Sequence, residues 1–515
     1  MKKNKSLSFL FFVCNLITSG QNYFQQDVKY SIHVKLNDVT HELSAFENIE
    51  YTNNSPDVLS TLYFHVWPNA YKDNNTALAK QLLESGKTFF YYSQDSLKGY
   101  IDSLDFKIND KAVKWEFEKN NIDICVITLN EPLKSGQSIT ITTPFYVKIP
   151  DAHISLLGHE GQSYQISQWF PKPAVYGTNG WNTMPYLDQG EFYSEYGSFD
   201  VYITLPENYV VGATGDLVDN EKESAWLDSI AIATSQLKSF DNNDLAFPLS
   251  SKQTKTLHYH QEKVHDFAWF ADKRYHVLKG EVELPVSKRK VNTYVMFTNN
   301  EADLWKNSIE YVNDAIFYYS KWIGEYPYKH ATAVEGASFI DGGSMEYPNI
   351  TVVSSAGDSA SLEMLIIHEV GHNWFYGILG SNERKFPWMD EGINSFYEYR
   401  TLQTKHPGNL VFFNQFKNII YLPEHAERSE RSLVYDIASH LNNDQPVGSS
   451  SEIYSTLNYN GIVYEKSAVA LAFLKDYIGE EKFDNAMRDY FIKWKFRHPQ
   501  PENLITIRYK SCWKI

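Results

Sequence analysis

A chain of 515 residues exceeds what one hydrophobic core supports, so two or more domains are expected. Hydrophobic residues at 43% and charged residues at 21% give the balance of a folded soluble protein. A net charge of −16, with no Lys/Arg run longer than three residues, argues against nucleic acid as a partner.

The chain opens with Lys2, Lys3 and Lys5, an apolar stretch from Leu7 to Ile17, and the small residues Thr18, Ser19 and Gly20. That order predicts a secretory signal peptide over residues 1–20, cleaved before Gln21, and hence export to the periplasm or the outside. The apolar stretch is too short for a transmembrane helix, and no stable membrane insertion is expected. Cys14 would leave with the signal, so only Cys125 and Cys512 remain. Two cysteines so far apart predict no disulfide framework and cannot build a thiolate zinc site. Any metal must use histidines and carboxylates.

From residue 21 to about 260 the pattern is strand after strand. Tyr30, Ile32, Val34 and Leu36 alternate with polar residues, as do Leu62, Phe64 and Val66. Ile139 and Ile141, then Val201, Ile203 and Leu205, repeat the period. Period two between turn clusters predicts antiparallel sheet, with a single short helix near Ala77–Glu84.

The character then changes. Thr298 and Glu301 have capping-box spacing, and Trp305, Ile309, Val312, Ile316 and Tyr319 follow at helical intervals up to Gly324. Further helices are expected over 361–379, 390–403, 465–478 and 481–495, with Gly380 and Gly479 as stops. Strand-like VNTYVMF and ITVVSS come before the first of these, so residues 261–515 read as a mixed α/β domain.

The strongest chemical signal is His368-Glu369-Val370-Gly371-His372. Residues four apart share a helix face, so both imidazoles can reach one zinc ion, and Glu369 lies beside them to take a proton. Eighteen residues further on stands Glu391, within Trp388-Met389-Asp390-Glu391-Gly392. A helix end, a loop and a returning helix fit that gap. Two histidines and one glutamate leave a fourth position open, the catalytic arrangement rather than the structural one. Taken alone, Glu391 would more often be a solvated helix acid.

HEVGHNWF followed by WMDEGINSFYE resembles the aminopeptidase N-type gluzincin metallopeptidases. Gly343-Ser344-Met345-Glu346 is similar to that family's Gly-x-Met-Glu element, and Tyr464-Glu465-Lys466-Ser467-Ala468 to its Tyr-x-Lys-Gly-Ala. Four motifs in order over residues 343–468 carry the resemblance. It implies a β-sandwich or saddle domain at 21–260 and a thermolysin-like α/β catalytic domain at 261–515. The helical C-terminal domain would be short or absent. It further implies one zinc ion on His368, His372 and Glu391, with Glu369 as general base and Tyr464 on the oxyanion. Glu346 would take the substrate α-amine next to Met345. The backbone of Gly342 and Gly343 would form an edge strand for the extended peptide.

Three positions depart from the pattern. Tyr347 stands where relatives have Asn, Ser467 where they have Gly, and Phe170 where they commonly place a second amine-binding Glu or Gln. The expected function is zinc-dependent aminopeptidase action on peptides. An endopeptidase with an open cleft and a decayed binding or scaffold protein are the alternatives. Side-chain preference and oligomeric state have no signature in the sequence.

Overall fold

The computed structural model describes residues 23–337, 343–407, 435, 439–440 and 444–512, the side chains of 507–512 excepted. The expected signal segment and Gly342 lie outside the described residues. No helix among the described residues is long and apolar enough to cross a membrane.

Strand Asp27–Asn37 buries Val28, Tyr30, Ile32, Val34 and Leu36 and exposes or half-exposes the residues between them. It lies inside a nine-stranded sheet, between Glu42–Thr52 and Gly197–Pro206. The pairing with Gly197–Pro206 is parallel, where an antiparallel sheet was expected. Parallel neighbours need a long crossover, and the whole chain between them serves as one. Two four-stranded sheets and a two-stranded one complete this half among the described residues. Tyr30 stacks on Phe199 at 4.3 Å and meets Phe170 edge-on at 5.7 Å, so Phe170 is a core residue. Helix Ala77–Glu84 forms as expected, capped by Thr76.

Helix Glu221–Gln236 was not expected. Its apolar stripe is short, but Asn220 accepts from the Glu223 amide at 3.0 Å, and Trp226, Leu227 and Ile230 pack on the core. Asn220 and Glu223 are thus a legible helix start.

The second half is built on a five-stranded sheet. Its order is His276–Glu283, Lys290–Phe297, His330–Glu335, Ile350–Val353 and Met345–Tyr347. The two inner pairings are parallel and the two outer ones antiparallel, so Met345–Tyr347 is an edge strand. Thr298 does not cap a helix: its hydroxyl donates to Glu335 at 2.8 Å, and the helix carrying Val312, Ile316 and Tyr319 is Ile309–Trp322. The same hydroxyl accepts from the Asn300 amide at 3.2 Å, so it closes a turn ahead of the helix.

Helix Ser359–Gly371 starts at Asp358, whose carboxylate accepts from the amides of Ala360 and Ser361 at 2.9 Å. It ends eight residues before the expected 379, because the chain turns at His372 and Tyr376 adopts a left-handed φ of 71°. The longer α-helices that follow among the described residues are Glu391–Lys405, Ser467–Ile478, Glu480–Trp494 and Pro501–Cys512, the last of them not expected.

Candidate metal centre

Helices Ser359–Gly371 and Glu391–Lys405 meet closely at Gly371. A Cβ there would collide with Asn394 and Tyr319, so only glycine lets the second helix approach the histidines. The Asn394 amide nitrogen donates to the His368 carbonyl at 2.8 Å and ties the two helices together.

Three donor atoms converge between them. His368 Nε2 lies 3.1 Å from His372 Nε2 and 3.2 Å from Glu391 Oε2, and His372 Nε2 lies 3.3 Å from that same oxygen. Each imidazole has its other nitrogen engaged. His368 Nδ1 faces Glu398 at 3.0 Å, and His372 Nδ1 faces Asp390 at 2.7 Å. A carboxylate only accepts, so both Nδ1 atoms carry the proton and both Nε2 atoms turn lone pairs to one point. Two lone pairs and a carboxylate oxygen at that spacing repel unless a cation sits among them. Bonds of about 2.0–2.1 Å to a tetrahedral zinc separate its ligands by roughly 3.3 Å, which these three distances match. Residues His368, His372 and Glu391 therefore fit one zinc ion.

A second trio, Glu346, His372 and Asp390, also lies within reach of one point. It would need His372 Nδ1, which Asp390 already holds at 2.7 Å, against 3.8 Å from Glu346. The first trio is therefore the better candidate for the metal site.

The other expected residues surround it. Glu369 is buried with Oε2 unpartnered, and burial pushes its carboxyl up to about 7, with His368 opposing. Tyr464 lies in a π-helical stretch, Tyr459–Lys466, and its hydroxyl donates to Glu391 Oε1 at 2.6 Å. π-helical turns recur at functional sites because they re-aim one side chain. Glu346 is buried on the edge strand, with Oε1 unpartnered. Tyr347 points the other way along that strand, and its hydroxyl donates to Gln168 at 3.2 Å. Gly343 is not in a strand: it precedes Met345–Tyr347 with φ 79°, a turn conformation, so the edge strand begins two residues later than expected.

Asp390 and Glu398 were not singled out from the sequence. Asp390 adjoins Glu391, and Glu398 stands seven residues after it, two turns along the same helix face. That spacing is a readable signal. Glu383 and Glu191 are different: they join the site through the fold, and nothing near them in the chain announces it.

The helix pair and the donor set together form a candidate zinc site. Residues 307–512 match the Peptidase family M1 domain. The chain is 26% identical over 161 residues to endoplasmic reticulum aminopeptidase 2 of Homo sapiens, 31% of this chain and 15% of that protein. It is 27% identical over 201 residues to leucine aminopeptidase 2 of Yarrowia lipolytica, 36% of this chain and 28% of that one. It thus spans less than a third of either relative. The solved M1 zinc metallopeptidase of Deinococcus radiodurans shares the fold at a TM-score of 0.58 and 14% identity, over 95% of this chain and 90% of that one. A mutant of that protein has been solved bound to a Tyr-Ser-Ala substrate.

Proposed function

We propose that this protein is a zinc-dependent aminopeptidase that removes N-terminal residues from peptides. The observation that carries the reading is the convergence of His368, His372 and Glu391 beside a buried, unpartnered Glu369. Zinc held by that trio supplies Lewis acidity toward a scissile carbonyl and toward water. Glu369 takes the proton of the attacking water and passes it to the leaving amine. The Tyr464 hydroxyl leaves Glu391 and donates to the oxyanion that forms on the substrate. Glu346 receives the substrate α-ammonium as a charge-assisted partner. The edge strand Met345–Tyr347 offers backbone groups to an extended peptide. Export is part of this reading, supported by the basic and then apolar N-terminus. We set the domain boundary between Asp272 and His276, after the last strand that pairs within the β half.

Matched peptides, free and N-acetylated, followed by mass spectrometry, test the reading. Stepwise loss of single residues from the free peptides alone is the expected result. Cleavage of both sets at internal bonds would make the protein an endopeptidase, and cleavage of neither by zinc-loaded protein would favour a scaffold role. Tyr464→Phe is expected to lower kcat about 10²-fold or more, as loss of an oxyanion donor does, with little change in KM. An unchanged kcat would exclude that tyrosine.

A further inference from the structure

The outer face of the nine-stranded sheet carries a histidine pair that the reaction does not use. In strand Thr254–Val264, Leu257 and Tyr259 turn inward and are buried, which puts His258 and His260 together on the opposite face. The neighbouring strand Gly197–Pro206 runs antiparallel to it and sets Asp200 directly across from His260 and Tyr202 across from His258. Asp200 Oδ1 lies 2.8 Å from His258 Nε2 and 3.1 Å from His260 Nδ1. Among the described residues Asp200 has no ion pair with a lysine or arginine, so only these two rings meet its carboxylate.

One oxygen facing both nitrogens supplies two edges of a ligand triangle. Both edges are within the roughly 3.3 Å that separates ligands on a tetrahedral zinc. The third edge is wider: among the described residues, only trios at the active site bring every donor within 4.8 Å of the others. A turn of the His260 ring closes it, and that side chain, 40% exposed, has room to turn. The His258 ring is held in its plane instead. It stacks on Tyr202 at 4.2 Å, and Tyr202 stacks on His33 at 4.3 Å. A neutral imidazole keeps one proton, which moves to the far nitrogen when an ion takes the near one, so neither ring changes its charge.

We propose that Asp200, His258 and His260 form a second metal site, which takes a divalent cation of the zinc type from solution and ties strand Gly197–Pro206 to strand Thr254–Val264. Calcium and magnesium prefer oxygen ligands, whereas two imidazoles and a carboxylate suit zinc. Solvent reaches all three side chains. Among the described residues, no buried carboxylate braces the far nitrogen of either ring as Glu398 and Asp390 do at the active site. The ion is therefore held more weakly than the active-site zinc and leaves on dialysis against zinc-free buffer. The site stands apart from the aminopeptidase reading, since none of its residues touches the reaction.

Equilibrium dialysis of the full chain against rising ZnCl2, with the metal counted per chain, tests this without turnover. At the concentration where wild type saturates, it is expected to hold one more zinc than His258→Asn and one more than His260→Asn. Both variants are expected to keep the tightly held ion that survives dialysis against zinc-free buffer. Equal zinc uptake by wild type and either variant would overturn the site. So would loss of the tight ion together with the weak one, which marks general damage rather than a missing ligand. Peptide turnover by wild type, measured separately, decides the aminopeptidase reading whatever the zinc count shows.

Discussion

Glu369→Gln is expected to retain its zinc and to lose about 10²–10⁴-fold in kcat, the range for removal of a positioned acid–base group. That is about 3–5 kcal/mol of barrier. The amide has the size and shape of the carboxyl, and Glu369 makes no hydrogen bond through Oε2 that the substitution would break. The donor trio is built from other residues, so the metal stays. What disappears is an acceptor whose proton affinity burial has raised to about neutrality, where it can take a proton from water and still release it. Turnover and metal content measured on one preparation check this. Normal turnover would remove Glu369 from the reaction.

His368→Ala is expected to abolish both metal retention and activity. The His368 ring meets three other groups of the site. It faces His372 and Glu391 through Nε2 and Glu398 through Nδ1, and Asn394 donates to the His368 carbonyl. Removing the ring leaves two metal donors. It also removes one hydrogen bond from the buried Glu398. Metal analysis after dialysis checks the outcome. A full zinc complement in this variant would mean that the ligands lie elsewhere.

Much of the centre was legible because its residues are close in the chain. His368 and His372 are one helical turn apart, and Glu391 returns after a single loop. Spacing alone puts such residues on facing surfaces. Where the reading failed, a long-range partner overrode the local pattern. The histidine helix stops at Gly371 rather than 379 because Tyr376 turns the chain, a conformation that apolar periodicity does not encode. Thr298 has the spacing of a helix cap but bonds Glu335, a residue 37 positions away. The pairing of Asp27–Asn37 with Gly197–Pro206 is parallel because distant strands meet there, and alternation is the same for either direction. Glu191 and Glu383 reach the centre only once the β half is folded against the helices. The Glu383 carboxylate accepts from the Phe192 amide at 2.9 Å, one residue from Glu191, so the two acids arrive together.

Metal removal and restoration on wild-type protein tests the central claim most directly. Hydrolysis of a free-amine peptide is followed after chelation and then with zinc added in steps. Hydrolysis is expected to fall to background on chelation and to return in full at one zinc per chain. Hydrolysis that survives complete removal of metal would contradict it.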